Sequence, residues 1–310
     1  MKLSIVLPVF NEQDNISPVY EKILAQLEDQ DVETEIIFVN DGSKDQSYLM
    51  LRELAFKDKH VKYINLTRNF GHQVALTAGL DFATGDAVIT MDCDLQDPPE
   101  LIPEMIKKWQ EGYKIIYTRR KIRKDKFFKR ITAEIYYSLL YRFSDNKIPG
   151  HIGDFRLLDK KVHEVLKNMR EKSRYLRGMV PWLGYEYAII DYERPLRTHG
   201  KTGFSLLKMI RLGMNGILSF SLAPLRLGLV LGFFIIFTGI IFFLYLLLNY
   251  LINDQFYKLL EWMAVINYTL IGFMFILIWI IGEYVGKIFR ETQNRPVYLI
   301  NDTGNIDKQE

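Results

Sequence analysis

In the first hundred positions apolar residues come in short, nearly unbroken runs, separated by longer segments with helical spacing. The runs are Leu3 to Val9 (LSIVLPV), Glu35 to Val39 (EIIFV), Val61 to Asn65 and Ala87 to Met91 (AVITM). Apolarity on consecutive positions over so short a length is the pattern of a strand covered on both faces. Between the runs, Ile16 to Leu27, Gln46 to Lys57 and Gln73 to Ala83 repeat at helical spacing, and Asn11 to Asp14 supplies helix-start chemistry. This alternation predicts an α/β domain, a parallel sheet with helices on both faces. Such sheets bind ligands beyond the carboxyl ends of their strands. The loops to inspect are therefore Pro8 to Glu12, Asn40 to Ser43, Thr67 to His72 and Asp92 to Asp97, where polar and acidic residues gather.

Beyond about residue 225 the pattern changes. Leu227 to Asn253 and Trp262 to Gly282 contain no charged residue. As a helix, each is long enough to cross the ~30 Å hydrocarbon core of a bilayer, which takes about 20 residues. Soluble helices rarely stay apolar on every face for that length. The expected organisation is an α/β domain over 1–193, a juxtamembrane amphipathic segment over 194–225, transmembrane helices over 226–253 and 262–286, and a tail over 287–310.

The net charge of +3 over 310 residues says little about partners, and no nucleic acid is expected among them. The distribution of charge says more. Arg119 to Arg130 carries eight basic side chains and one acid, and Arg194 to Arg211 carries five and none. Lys287, Arg290 and Arg295 follow the second apolar run, whereas the connection between the runs offers only Lys258 against Asp254 and Glu261. The positive-inside bias then puts both chain ends in the cytoplasm, with a short external hairpin in an inner or plasma membrane. The basic stretch continues to Phe143 with Tyr136, Tyr137 and Tyr141, so 119–143 suits the membrane interface. Charge-free spans offer neither a pore nor a proton relay and read as anchors, which disfavours a flippase. Gly228, Gly232, Gly239, Gly272, Gly282 and Gly286 allow close helix packing and so a homo-oligomer. Met1 to Phe10 is too short for a cleavable signal peptide. The single cysteine, Cys93, excludes an intrachain disulfide and fits a reducing compartment.

Asp92 and Asp94 stand two apart at a strand end, so in an extended chain both carboxylates face the same way, and Gln96 extends the series. Mg²⁺ is typically bound by one or two carboxylates completed by substrate phosphates and water. The same ion would neutralise a departing nucleoside diphosphate. Asp97, heading Asp-Pro-Pro-Glu, reads as a helix-start turn. His72 and His199 lack partner spacing and read as structural or hydrogen-bonding residues.

Five ordered motifs now stand out: PVFNE (8–12), VNDGSKD (39–45), RNFGHQVA (68–75), MDCDLQDPPE (91–100) and GDFRLLD (153–159). Together they resemble the motif series of family 2 glycosyltransferases, in particular the polyprenyl-phosphate glycosyltransferases, which include bactoprenol glucosyltransferases and dolichol-phosphate mannose synthases. The resemblance implies a GT-A-type, Rossmann-like fold and inverting sugar transfer from a nucleotide sugar, with UDP-glucose the leading donor. GDP-mannose and UDP-amino-arabinose derivatives are the alternatives. It implies that Asp92, Asp94 and Gln96 hold Mg²⁺ or Mn²⁺, that Pro8, Phe10, Glu12, Val39 and Asp41 cradle the nucleoside, and that Arg119 meets phosphate. Cys93 stands where relatives commonly have alanine, a neutral change.

The acceptor implied is a polyprenyl phosphate in the bilayer. The resemblance casts Asp154 as general base, but a phosphate monoester has a second pKa of about 6 and is largely ionised at neutral pH. Asp154 is therefore expected to orient the acceptor or a cation more than to take a proton. Asp159 reads as a helix cap. Relatives usually carry Arg-x-x-Gly-x-Ser/Thr-Lys ahead of the first span for the lipid phosphate. Here Arg197, Gly200 and Thr202 match, Gly203 replaces the lysine, and Lys201 is the candidate substitute. A processive polysaccharide synthase is disfavoured by the lack of a Gln-x-x-Arg-Trp segment, the nearest being Arg174 to Arg177. A non-catalytic scaffold is disfavoured by intact acids at 92, 94 and 154.

Overall fold

The computed structural model describes residues 1–120, 152–193 and 256–306 (less 29, 170 and 173) and parts of 234–252. They belong to two compact units, one holding the sheet and its helices and the other the long C-terminal helix.

The sheet unit contains β1 (Lys2–Val9), α1 (Gln13–Leu27), β2 (Glu33–Asn40), α2 (Ser47–Lys57), β3 (Val61–Leu66), α3 (His72–Phe82) and β4 (Ala87–Thr90). A 3₁₀ turn at Pro99–Leu101 leads into α4 (Ile102–Gln110), followed by β5 (Ile115–Arg120). Then come β6 (Ile152–Asp159), α5 (Lys160–Asn168), α6 (Leu176–Trp182) and β7 (Tyr187–Tyr192). The second unit holds α7 (Phe256–Thr292), and the chain returns to the sheet as β8 (Ile300–Gly304).

Eight strands form one sheet in the order β7-β5-β6-β4-β1-β2-β3-β8. The stretch β4-β1-β2-β3 is parallel, as the alternating pattern predicts. The whole sheet is mixed, because β6 runs antiparallel to both β4 and β5, and β8 antiparallel to β3. This GT-A-type α/β arrangement puts the carboxyl ends of β1 to β5 and β7 on the edge where β6 begins. Asp154, near the start of β6, therefore shares an edge with Asp92, just past the end of β4.

Burial on both faces explains the uninterrupted runs. Leu3, Ile5, Leu7 and Val9 of β1 meet Ile16, Val19, Ile23 and Leu27 of α1 in one core with Ile36 and Phe38 of β2. On the other face α3 crosses so closely that a Cβ at Gly79 would collide with Val6. That approach fixes α3 and brings its first residues, His72 and Gln73, to the ligand edge. Asp159 caps α5 by accepting from the Lys161 amide at 3.0 Å, as its position suggests.

The region 287–310, expected as a tail, thus contributes an edge strand. Over the described residues alone, no helix is long and apolar enough to cross a membrane. The second expected span, 262–286, falls within α7, some of whose side chains are not described. The first, 226–253, is described only in part, from 234 onward, and the juxtamembrane segment, Arg197, Lys201 and the interface stretch after Arg120 lie outside the described residues.

Candidate active site

The loops after β1 and β2 are laced together by side chains bonding to backbone. Asn11 donates its amide to Ser43 Oγ at 2.9 Å, and its Oδ1 accepts from the Lys44 amide at 2.8 Å. Ser47 Oγ accepts from the Glu12 amide at 3.0 Å. Gly42 has φ +67°, and a Cβ there would lie 2.6 Å from Arg68 C and Asn69 N. Glycine at 42 thus lets the 40–43 loop sit against the 67–71 loop. Asp41 joins the two: Oδ1 accepts from the Phe70 amide at 2.7 Å and Oδ2 from the Gly71 amide at 2.9 Å. Burial outweighs these bonds and raises its pKa. Of the residues expected to cradle a nucleoside, Pro8 and Val39 are buried, Glu12 is half-buried and accepts from Asn15, and Phe10 is exposed. Phe10 is thus the exposed ring of this set, whereas Asp41 spends both oxygens on loop amides.

The acidic loop follows β4. Asp94 Oδ1 accepts from the Gln96 amide at 3.1 Å. Asp97 is not a simple helix-start turn: its Oδ2 accepts from the Asp92 amide at 3.1 Å and its Oδ1 from Tyr192 Oη at 3.1 Å. Pro99 and the turn it starts need no cap from Asp97, which leaves its carboxylate free to fold the loop back on itself. Burial, with the nearby charge of Asp92, pushes the Asp97 pKa up to about 7 against the pull of Arg120. Arg120 Nη2 stands 3.6 Å from Asp97 Oδ1, and its Nε donates to Tyr192 Oη at 3.0 Å. Arg119 points elsewhere and makes a two-bond pair with Asp191, at 2.6 and 2.9 Å. Of these two adjacent arginines on β5, Arg120 is the one at the acidic loop.

His72 joins this loop to the start of β6. Its Nε2 lies 2.7 Å from Asp92 Oδ1, and its Nδ1 lies 3.9 Å from Asp154 Oδ2. Desolvation opposes a charge on the ring, but the two carboxylates win and raise its pKa to about 9. Reciprocally, His72 holds the Asp92 carboxyl below its ordinary range despite burial. The hydrogen-bonding reading of His72 therefore matches its geometry, at the centre of the site.

Asp154 is buried and surrounded by donors. Oδ1 accepts from Arg156 Nη2 at 3.2 Å; Oδ2 accepts from Arg177 Nε and Nη2 at 3.0 and 2.8 Å and from Gln73 Nε2 at 3.0 Å. Burial opposes its ionisation, yet Arg177 and Arg156 hold the carboxyl far below the usual carboxylate range. Gln73, Arg156, Arg177, Arg120 and Tyr192 were not singled out by sequence patterning. The signals for two of them were the Gln within RNFGHQVA and the Arg closing Arg174 to Arg177. Cys93 is buried, which pushes its thiol pKa up and leaves it inert.

Asp92, Asp94 and Gln96 form an oxygen-rich set on one loop, the donor chemistry of a hard divalent cation. Among the described residues no group of three or more His, Cys, Asp and Glu could cage an ion alone. Two carboxylates whose shell is completed by substrate phosphates fit Mg²⁺ or Mn²⁺ bound together with a nucleotide.

The sequence profile of Glycosyl transferase family 2 matches residues 4–167, which takes in the acidic loop and Asp154. Over 312 residues the chain is 41% identical to the uncharacterized glycosyltransferase YkcC of Bacillus subtilis (strain 168), covering 100% of this chain and 96% of that protein. It is 40% identical over 302 residues to the prophage bactoprenol glucosyl transferase homolog of Escherichia coli (strain K12), covering 97% and 98%. It is 39% identical over 302 residues to the bactoprenol glucosyl transferase of Shigella phage SfX, covering 97% and 99%. The motif loops gathered on one sheet edge and this full-length likeness give one result: the chain belongs to glycosyl transferase family 2 and is a glycosyltransferase.

Proposed function

We propose that the protein transfers glucose, with inversion, from UDP-glucose to a polyprenyl phosphate of the undecaprenyl (bactoprenol) type at the cytoplasmic face of the membrane. The observation that carries this is the meeting of two acidic centres on one sheet edge. Asp92 lies on one side and Asp154, with Arg177, on the other, and His72 spans them at 2.7 and 3.9 Å. Glucose and bactoprenol as reactants rest on the names of relatives 39–40% identical over 97% of the chain.

Asp92 and Asp94, with Gln96, would hold Mg²⁺ or Mn²⁺, whose charge offsets that of the departing nucleoside diphosphate. Phe10, Glu12 and Asp41 lie on the loops that would take the nucleoside. The bond from the sugar's anomeric carbon to the diphosphate oxygen breaks as one forms to the acceptor phosphate oxygen on the opposite face. That oxygen is already largely ionised, since the second pKa of a phosphate monoester is about 6. No base is then needed, and Asp154, paired with two guanidinium groups, is a poor one. Its part is to hold Arg177 and Gln73 beside the acidic loop, where a cation can meet the acceptor phosphate.

Membrane anchoring is supported by α7. Trp262, Phe275, Ile276, Ile278, Ile281 and Ile288 are all more than half exposed in its unit, and at 3.6 residues per turn their spacing takes in every side of the helix. A helix apolar all round calls for an apolar surrounding, and Lys287, Arg290 and Arg295 follow the span.

The test is to incubate detergent-solubilised protein with Mg²⁺ or Mn²⁺, undecaprenyl phosphate and a panel of radiolabelled UDP- and GDP-sugars, and to follow label into the organic phase. Transfer from UDP-glucose, abolished by a chelator, is the expected result. Transfer from GDP-mannose or a UDP-amino-arabinose derivative instead would replace the donor and keep the reaction. Nucleotide binding without transfer from any donor would overturn the acceptor.

A further inference from the structure

β8 comes from the far end of the chain, yet its polar residues bond to groups that shape the donor loops. Asp302 is the hub. Its Oδ2 accepts from the hydroxyls of Tyr48 and Tyr63 at 2.7 and 3.0 Å, and its Oδ1 accepts from Asn65 Nδ2 at 2.6 Å. Asn65 Oδ1 accepts in turn from Asn40 Nδ2 at 2.8 Å, and Asn40 Oδ1 from the Ser43 amide at 3.2 Å. Ser43 Oγ then accepts from the Asn11 amide at 2.9 Å. An unbroken relay thus runs from the C-terminal strand to the loops at 10–12 and 40–44. A second link lies beside it: Leu299 O accepts from the Thr67 amide at 3.0 Å, at the root of the loop whose Phe70 and Gly71 amides hold Asp41.

The relay has a direction, and Asp302 sets it. An ionised carboxylate can only accept, whereas an asparagine side chain offers a donor at one end and an acceptor at the other. Asn65 must therefore turn its Nδ2 to Asp302, which leaves its oxygen for Asn40. Asn40 must then give its nitrogen to Asn65, which leaves its oxygen for the Ser43 amide. Reversing Asn65 would set oxygen against the Asp302 carboxylate and nitrogen against Asn40 Nδ2, and reversing Asn40 would set oxygen against Asn65 Oδ1 and strand the Ser43 amide. Asn40 and Asn65 are both buried, where an unmade bond is costly.

We propose that Asp302 is a positioning residue for the sugar-nucleotide site. By fixing the direction of the Asn65–Asn40 relay it holds the loops that receive the nucleoside, although it touches no substrate. The inference rests on the donor-pocket reading above, and the test separates the two.

Full-length D302N is compared with wild type by calorimetric UDP binding, donor and acceptor KM, and amide hydrogen exchange. The variant should raise the UDP Kd and the donor KM roughly tenfold, the scale of a lost bond to a charged group. The acceptor KM should not move, and exchange should quicken at 40–44 and 67–71 but not in β1 or α1. The double variant D302N/N65D exchanges the two groups, so that an accept-only carboxylate at 65 again makes Asn40 give its nitrogen to the relay and its oxygen to Ser43, and should bring the donor KM back towards wild type. An unchanged donor KM in D302N, or a loss seen only as a smaller active fraction, overturns the inference. Failure of the double variant to restore KM while it folds overturns it too. Wild-type protein that binds no UDP overturns the donor-pocket reading first, and this inference with it.

Discussion

Replacing Asp154 by asparagine separates an orienting role from that of a base. The substitution keeps the shape of the side chain and removes the charge that faces Arg156, whose side chain is 1% exposed. Arg156 Nε has no hydrogen-bond partner among the described residues, and Nη1 has the Leu176 carbonyl at 3.2 Å. Removing one partner of a buried ion pair costs about 3–5 kcal/mol. The loss at Arg177 adds little, because its side chain is 34% exposed and screened by water. At about 2–4 °C per kcal/mol for a unit of this size, the catalytic unit should melt roughly 10 °C lower. The acid limb of the pH dependence of turnover should stay as it is, since a carboxyl held so low is ionised on both sides of neutrality and takes no proton. The assay pairs thermal unfolding in detergent with kcat between about pH 5 and 8, run below the melting point of the variant. A variant of wild-type stability whose kcat falls by about 10²–10⁴, the usual contribution of a general base, and whose profile loses its acid limb would refute this reasoning.

The remaining predictions concern the acidic loop, the β5 arginines and a buried glutamate. Asp94→Ala should reduce transfer to the level of chelated wild type while leaving the metal-free melting temperature nearly unchanged; label in the organic phase and thermal unfolding read both. Arg119→Ala, which breaks an exposed pair with Asp191, should cost no more than about 1 kcal/mol. Arg120→Ala should lower both stability and activity, since it removes the cation facing buried Asp97. Similar losses from both variants would show the two side chains to be misassigned. Glu35 accepts from Ser4, Thr84 and Lys62. Burial opposes its charge, but Lys62, Ser4 and Thr84 prevail and lower its pKa from 4.5 to about 2. A depressed carboxyl pKa stabilises the fold above the unfolded value, and the gain is lost as pH falls from about 4.5 through about 2. The shift corresponds to about 3 kcal/mol. Glu35→Gln should therefore lower stability at neutral pH and flatten its decline on acidification, as followed by unfolding at a series of pH values.

What could be read from the sequence follows how local the information is. β1 to β4 announce themselves because each is buried on both faces and so apolar at every position. Asp92 and Asp94 stood out as a pair of acids at a strand end, but β4 stops at Thr90 and the chain turns through them, with Leu95 at φ +58°, so their loop is not the extended chain that a shared direction assumes. β6 was visible only as a motif, and its antiparallel course was not, since nothing in GDFRLLD encodes which way a neighbour runs. β8 escaped altogether: Ile300-Asn-Asp-Thr-Gly holds a single apolar residue, as an edge strand can, and its partner β3 lies over two hundred residues away. Arg156 stands two positions from Asp154 within GDFRLLD, but separation along the chain hid its other donors. Arg177 is 23 positions from it and Gln73 is 81, and only the fold brings them together. Arg119 and Arg120 were indistinguishable as sequence, because the pleat alone decides which side chain faces Asp97.

The lateness of β8 also shapes how the protein comes into being. β3 is complete at Leu66, but its outer neighbour is not translated until Ile300, after the whole of α7. At about 5–20 residues per second the growing chain carries an open β3 edge for roughly 10–50 s. Such an edge is a ready template for pairing with another chain. The sheet therefore closes only once the second unit has been made, so the order of synthesis postpones completion of the donor side until the last stage. A version of the chain ended before residue 295 would keep that edge open permanently, and edge-to-edge association is the fate to expect of it.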